Sequence, residues 1–191
     1  MSVRFACADG RDIGWRVERW LGRAEPEELD TLRRATPPVL DVGCGPGRHV
    51  IALARMGVMA LGVDLAPAAV DMAHARGAPV LERSIFGRVP GTGRWGSALL
   101  LDGNVGIGGD PHVLLRRIRA LLRQGGRILV EVDPPGTRTE CISVQLEGRP
   151  ATRFPWAIVA ADDLESLARR AGLTLAEMWS ANCRWFGCLV R

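Results

Sequence analysis

Glycines at 43, 45 and 47 and an aspartate at 64 are the residues whose types and spacing most readily suggest chemistry. The segment VLDVGCGPGRH, Val39 to His49, is a short apolar run that ends in glycines and passes into an amphipathic stretch. That order predicts a strand, a tight turn and a helix. Glycine is required where a chain turns sharply or where a ligand must approach the backbone. A helix start offers unpaired N–H groups that suit an anionic group. The next apolar run ends LGVDLAP, which puts Asp64 at the carboxyl end of a second strand, 21 residues beyond Gly43. A carboxylate there can take both ribose hydroxyls of an adenosine. The competing interpretation is a turn that only packs, with Asp41 as a capping or packing carboxylate.

The spacing narrows the ligand. The dinucleotide fingerprint is GxGxxG, and its third glycine would fall at Arg48. The chain instead reads GxGxG with Pro46 inside the loop, and no GK[ST] of a phosphate-binding P-loop exists. A second glycine-rich stretch, Asp102 to His112 (DGNVGIGGDPH), follows a later strand. It emerges at the ligand-bearing end of a parallel sheet, which favours a site role for Asp102 and Asn104 over a plain linker capped by Asp110. Cys44 is explained by its small size. His49, in the first helical turn, is expected to cap or face solvent, and His74 carries no signal. DPPG, Asp133 to Gly136, is expected to be a rigid turn. Phe154-Pro155-Trp156 either packs in the core or lines a substrate pocket, and Trp15 and Trp20 form either a lid or a packing face.

The elements that position these residues alternate. Strands are expected at 39–42, 59–63, 79–82, 98–101 and 128–132, with helices at 46–56, 67–76 and 111–123 between them. This alternation predicts a parallel sheet covered on both faces. The tail reads as loops with one extra strand at 142–146, a helix at 162–171 with Asp162 as N-cap, and two strands joined at Asn182. Residues 1 to 36 are expected to be helical, with Trp15, Val17, Trp20 and Leu21 on one face.

Composition excludes several classes. A chain of 191 residues can bury roughly 70% of its unfolded surface without disulfides or metal. Hydrophobic residues are 47% and charged residues 24%, which removes fibrous and disordered readings. The net charge is +4, yet all 25 basic residues are Arg and there is no Lys or Tyr. These Arg residues are scattered without an aromatic-interleaved stripe, so no nucleic-acid partner is expected. Five cysteines without a CxxC argue against a disulfide framework or a metal site. No apolar run has the length of a signal peptide or a span, so no membrane partner is expected and the expected location is cytoplasmic.

VLDVGCGPG resembles the first motif of the class I S-adenosylmethionine-dependent methyltransferases. LGVDLAPAAVDMAHARG looks like their second strand and helix, and LLRRIRALLRQGGRILVEV, 114–132, is similar to their late helix and fifth strand. The resemblance covers roughly 37–132. It implies an α/β fold, a Rossmann-like three-layer sandwich around a mostly parallel seven-stranded sheet with an antiparallel C-terminal hairpin. It divides the chain into an N-terminal helical cap, 1–36, and a methyltransferase domain, 37–191. It also implies methyl transfer from S-adenosylmethionine. The brevity of the chain favours a small-molecule acceptor, and the oligomeric state stays open, a homodimer being one arrangement.

Carried over to this chain, the resemblance makes Asp41 the organiser of the loop. Gly43, Cys44 and Gly45 bring backbone to the methionine moiety, and Gly47 opens the helix. Asp64, followed by Leu65, binds the ribose, and Asp102 and Gly103 stand beside the sulfonium. The family often has an Asp after its third strand for the adenine amino group. Here the chain reads Glu82-Arg83-Ser84-Ile85-Phe86, and Ser84 and the backbone of Ile85 are the substitutes. If a base is needed, Asp102 and His112 are the first candidates, then Asp133, with Glu131 behind them. Two rivals remain at this point: an NAD(P)-dependent oxidoreductase on a similar fold, and a non-catalytic S-adenosylmethionine-binding protein.

Overall fold

The computed structural model describes residues 5–7, 10, 15, 17–146 and 149–191. In chain order the elements are β1 (Phe5–Cys7), α1 (Val17–Leu21), α2 (Pro26–Arg33), β2 (Val39–Val42), α3 (Arg48–Arg55), β3 (Ala60–Asp64), α4 (Pro67–Ala75) and β4 (Val80–Glu82). They continue as β5 (Trp95–Leu100), α5 (Pro111–Leu121), β6 (Leu122–Val132), β7 (Glu140–Leu146), β8 (Arg149–Ile158), α6 (Ala161–Arg170), β9 (Thr174–Ala181) and β10 (Arg184–Val190). Seven strands form one sheet in the order β4-β3-β2-β5-β6-β10-β9. The first five are mutually parallel, and β10 runs antiparallel to both β6 and β9. The expected mostly parallel sheet with an antiparallel terminal hairpin is therefore present.

The sheet is held by burial on both faces. Every residue of β2 and β5 is buried, as strands covered by helices on two sides must be. On one face Leu114, Leu115, Ile118 and Leu121 of α5 pack with Leu164 and Leu167 of α6 against Leu40, Ala98, Leu100, Ile128 and Val130. On the other face Leu53 of α3 and Leu32 of α2 pack against Val39, Leu99, Leu129 and Phe186. Helix α5 starts as the sequence predicts, with Pro111 in its first turn and Asp110 accepting from the Val113 N–H at 3.0 Å.

Three expectations are corrected. The N-terminal region is not wholly helical: β1 pairs with β7, and β7 with β8, in a second antiparallel sheet ordered β1-β7-β8. Strand β8 was expected to be loop. It tolerates Pro155 because it is an edge strand, where a missing N–H breaks no ladder. Helix α6 is capped at Ala160, not Asp162. The backbone of Asp133 bonds to Val159 and Ala161 and fixes the helix start there, which leaves the Asp162 carboxylate to accept from the Gly136 N–H at 2.7 Å.

The β9–β10 connection has two residues, Asn182 (φ 51°) and Cys183 (φ 60°), both left-handed. This type I′ geometry suits the strand twist, and its second position favours glycine. Cys183→Gly is expected to raise stability by about 1 kcal/mol, or about 3 °C in Tm, read by thermal melting. An unchanged or lower Tm would show that the turn carries no strain. Among the described residues no helix is long and apolar enough to cross a membrane.

Candidate functional site

The loop after β2 is built from left-handed glycines: φ is 70° at Gly43, 51° at Gly45 and 79° at Gly47. Their roles differ. A Cβ at Gly43 would meet Asn104 Nδ2 and Ile107 Cδ1, each at 2.8 Å, and one at Gly47 would meet Ala78 Cβ at 2.8 Å. These two glycines allow close packing. A Cβ at Gly45 would meet nothing within 4 Å, and the same holds for Gly103 after β5. Open glycine faces thus stand at the carboxyl ends of β2 and β5, where backbone can meet a ligand. Cys44 turns inward, its buried sulfur against Gly62, and burial raises its thiol pKa further above neutrality. A nucleophilic thiolate is excluded there.

Asp64 sits at the end of β3 and is bound to this loop. Its Oδ2 accepts from the Gly45 N–H (2.7 Å), and its Oδ1 accepts from the Ala66 N–H (2.8 Å). The spacing read from the sequence therefore becomes a direct contact between the two elements. Leu65, beside it, is 66% exposed. Ser84 Oγ accepts from the Phe86 N–H at 3.2 Å, whereas the Ile85 side chain is in the core and its carbonyl accepts from Arg117 Nε at 2.9 Å. The Phe86 ring is 44% exposed and lies against Gly108. Exposed apolar side chains thus follow both neighbouring strands, Leu65 after β3 and Phe86 after β4.

Asp102, at the end of β5, adopts a left-handed backbone (φ 58°) and lies in a buried charge network. Arg48 Nη2 donates to both Asp102 oxygens (2.7 Å each) and to Glu28 Oε1 of α2 (2.6 Å). Arg184 of β10 grips Glu131 with two bonds of 2.7 Å, Nε to Oε1 and Nη2 to Oε2, and donates from Nη1 to Glu28 at 2.8 Å. Glu131 in turn accepts from the Asp102 N–H at 2.7 Å. Burial, reinforced by Glu131 and Glu28, holds the Asp102 carboxyl above its ordinary range, with His49 and Arg48 acting in the opposite sense. Asn104 Nδ2 donates to the carbonyls of Val42 (2.8 Å) and Gly43 (2.9 Å) and ties this loop to the glycine loop. Nothing in the sequence pattern marks Glu28 or Arg184; Glu131, the last of the candidate bases, is instead the partner of Arg184, and Arg48 shows in the sequence only as a missing glycine.

His49 is buried rather than at the surface. Asp41 Oδ2, buried and without a hydrogen bond, is 3.7 Å from its Nδ1; Glu28 Oε2 is 3.5 Å from its Nε2. Burial opposes the imidazolium, and so does Arg48, but the two carboxylates prevail and push its pKa to about 9. A histidine whose folded pKa is raised stabilises fully below its unfolded value of roughly 6.5, and loses that contribution as pH climbs through the folded value. Tm is therefore expected to fall by several degrees between pH 6.5 and 9, and His49→Gln to flatten that slope in melts at pH 6, 7.5 and 9. An equal slope in both proteins would remove His49 as its source.

His112 stands apart from these residues. Its Nε2 is 3.1 Å from the Arg170 carbonyl, in a cleft of about 570 Å³ between α5 and α6 lined also by Asp110, Thr139 and Asp163. The structure therefore does not bring together the two first candidates for a base. Trp15, Phe154 and Trp156 meet on the second sheet, with Trp15–Trp156 centroids 4.8 Å apart and Phe154–Trp156 6.2 Å. This cluster reaches the site through the 3-10 turn at Asn104–Gly106, where Gly106 packs on Trp156 and Ile107 bridges to it.

The family model described as methyltransferase domain matches residues 16–178. Among curated proteins none matches the chain in sequence. Among solved structures, an S-adenosylmethionine-dependent methyltransferase from Bacteroides fragilis in complex with S-adenosyl-L-homocysteine is similar over 98% of this chain and 86% of its own, with TM-score 0.81 and 22% identity. The 1,6-didemethyltoxoflavin-N1-methyltransferase of Burkholderia thailandensis, holding its acceptor and S-adenosylhomocysteine, is similar over 80% of this chain and 70% of its own (TM-score 0.62, 20% identity). An amino pentose methyltransferase from Micromonospora echinaspora covers 95% and 99% (TM-score 0.64, 18% identity).

Proposed function

We propose a small-molecule acceptor for this chain, which belongs to the methyltransferase domain family and uses S-adenosylmethionine as its methyl donor. The observation that carries the reading is the pairing of Gly45 with Asp64. An open glycine face and a strand-end carboxylate converge at the carboxyl ends of adjacent parallel strands, where ligands of such sheets bind. The donor supplies a methyl group already activated on a sulfonium. The chain must hold and align it, and alignment alone can supply roughly 7–11 kcal/mol.

In this reading Asp64 receives the ribose hydroxyls, and Leu65, Phe86 and Ser84 bound the adenine. Gly45 and Gly103 admit the methionine portion, and Asp41 and Asn104 hold the loops in register. Asp102 acts as a positioning carboxylate, since Arg48 occupies both of its oxygens. A small acceptor is supported by the aromatic cluster, which stands one turn of chain from Asp102, and by the toxoflavin and amino pentose acceptors of the similar enzymes. NAD is disfavoured because Arg48, at the third fingerprint position, is buried in the charge network and leaves no glycine turn there.

Titration calorimetry is expected to give micromolar binding of S-adenosylmethionine and S-adenosylhomocysteine, about −8 kcal/mol, and no heat with NAD. Incubation with labelled donor and a metabolite extract is expected to yield a labelled small product. Folded protein that takes up neither adenosyl compound would end this reading.

A further inference from the structure

We propose that the acceptor is an organic amine and that Asp133 takes up its proton. This rests on the methyltransferase reading above and adds the acceptor's chemical class and a catalytic residue. Four carboxylates and one imidazole near the strand ends are committed. Asp102 is held by Arg48, Glu131 by Arg184, and Glu28 by both guanidinium groups; Asp41 faces His49, and His112 pairs in another cleft. Asp133 is different. It follows β6 directly, and strand alternation puts it on the side of Glu131. Its backbone is fixed by bonds to Val159 and Ala161, but among the described residues no side chain pairs with its carboxylate. The carboxylate is partly buried, and burial, with Glu131 two residues away, lifts its pKa above the ordinary range.

The charged groups around it define what can approach. Glu131 lies on the same strand, Arg184 of β10 is saturated by Glu131 and Glu28, and Asp162 of α6 accepts from Gly136. Five carboxylates (Glu28, Asp41, Asp102, Glu131 and Asp133) thus share two guanidinium groups and one imidazole across these strand ends. A carboxylate or phosphate acceptor would meet uncompensated negative charge. An ammonium would meet, in Asp133, a carboxylate that no described side chain pairs with, at strand ends where carboxylates outnumber the cations.

The step balances. The acceptor ammonium gives one proton to Asp133 and becomes a neutral amine. Its nitrogen lone pair forms the N–C bond to the methyl carbon, the C–S bond breaks, and its electron pair stays on sulfur as the neutral thioether. The product leaves as a methylated ammonium, and Asp133 returns its proton to water.

The test uses the full chain saturated with S-adenosylhomocysteine and three probe series: benzylamine, phenethylamine and tryptamine, each beside its alcohol and its carboxylate counterpart. The amines are expected to raise Tm and to titrate, the carboxylates to do neither. Asp133→Asn is expected to bind S-adenosylhomocysteine as the parent does and the amines at least tenfold more weakly. With labelled donor, methyl transfer to the best-bound amine is expected to fall by about 100-fold in that variant, the scale of a lost general base. Alcohols or carboxylates binding as well as amines, no amine binding at millimolar concentration, or equal amine binding by Asp133→Asn would each overturn the proposal. Failure of the parent to bind S-adenosylhomocysteine would instead overturn the reading beneath it.

Discussion

Asp64→Ala is expected to weaken S-adenosylhomocysteine binding by about 100-fold, from micromolar to about 0.1 mM, since each charge-assisted hydrogen bond contributes roughly 1.5–3 kcal/mol. Two effects combine. The ribose loses its carboxylate, and the glycine loop loses the bond from the Gly45 N–H to Oδ2 at 2.7 Å that holds it open toward the ligand. Asp64→Asn keeps one acceptor oxygen for that bond and should fall between the two in calorimetry. The apoprotein should lose little stability, because both backbone donors can turn to water at this partly exposed position. Undiminished affinity in Asp64→Ala would remove Asp64 from the site.

Arg184→Met is expected to cost about 3–5 kcal/mol, or about 10 °C in Tm, because removing one partner of a buried ion pair strands the other. Arg184 is 7% exposed, and its loss leaves Glu131 without a cation and Glu28, fully buried, with Arg48 and His49 alone. The double variant Arg184→Met, Glu131→Leu removes both charges of the tightest pair and should recover a large part of the loss. If the single variant melts within 2–3 °C of the parent, a change below about 1 kcal/mol, the network is not a structural brace. The same substitution should also weaken donor binding, since Glu131 fixes the Asp102 backbone and Asp102 fixes Arg48.

What could be read from the sequence was what local pattern encodes. An apolar run ending in glycines can only turn, and Asp64 lands beside Gly45 because β2 and β3 pair in parallel with Asp41 opposite Gly62. The N-cap at Asp110 is likewise a local device. The charge network could not be read, because its partners are far apart in sequence: Arg184 meets Glu28 across 156 positions, and Glu25, Glu27 and Glu28 look like the solvated acidic first turn of an ordinary helix. Strand β1 pairs with β7 across about three quarters of the chain, Phe5 opposite Leu146, and β8 is disguised by its prolines. Asp162 has the right type for a cap, but the Asp133 bridge to the end of β8 sets the helix start ahead of it. His49 reads as a surface residue until both carboxylates that face it are placed.

The tip of the β9–β10 hairpin closes on α2: Asn182 Nδ2 donates to Glu27 at 3.1 Å, and Arg184 donates to Glu28. Vectorial synthesis delivers that helix, and soon after it Arg48 and His49, long before Arg184. At ordinary elongation rates, 156 residues take about 10 to 30 s to emerge. Until then Glu28 has only Arg48 and His49 as cations, and Glu27 and Glu131 lack the guanidinium group that faces them. The final hairpin is therefore the clasp that commits the polypeptide to its native state, and ribosome-bound chains stalled before Arg184 should remain open to proteases at α2 however complete the parallel strands are.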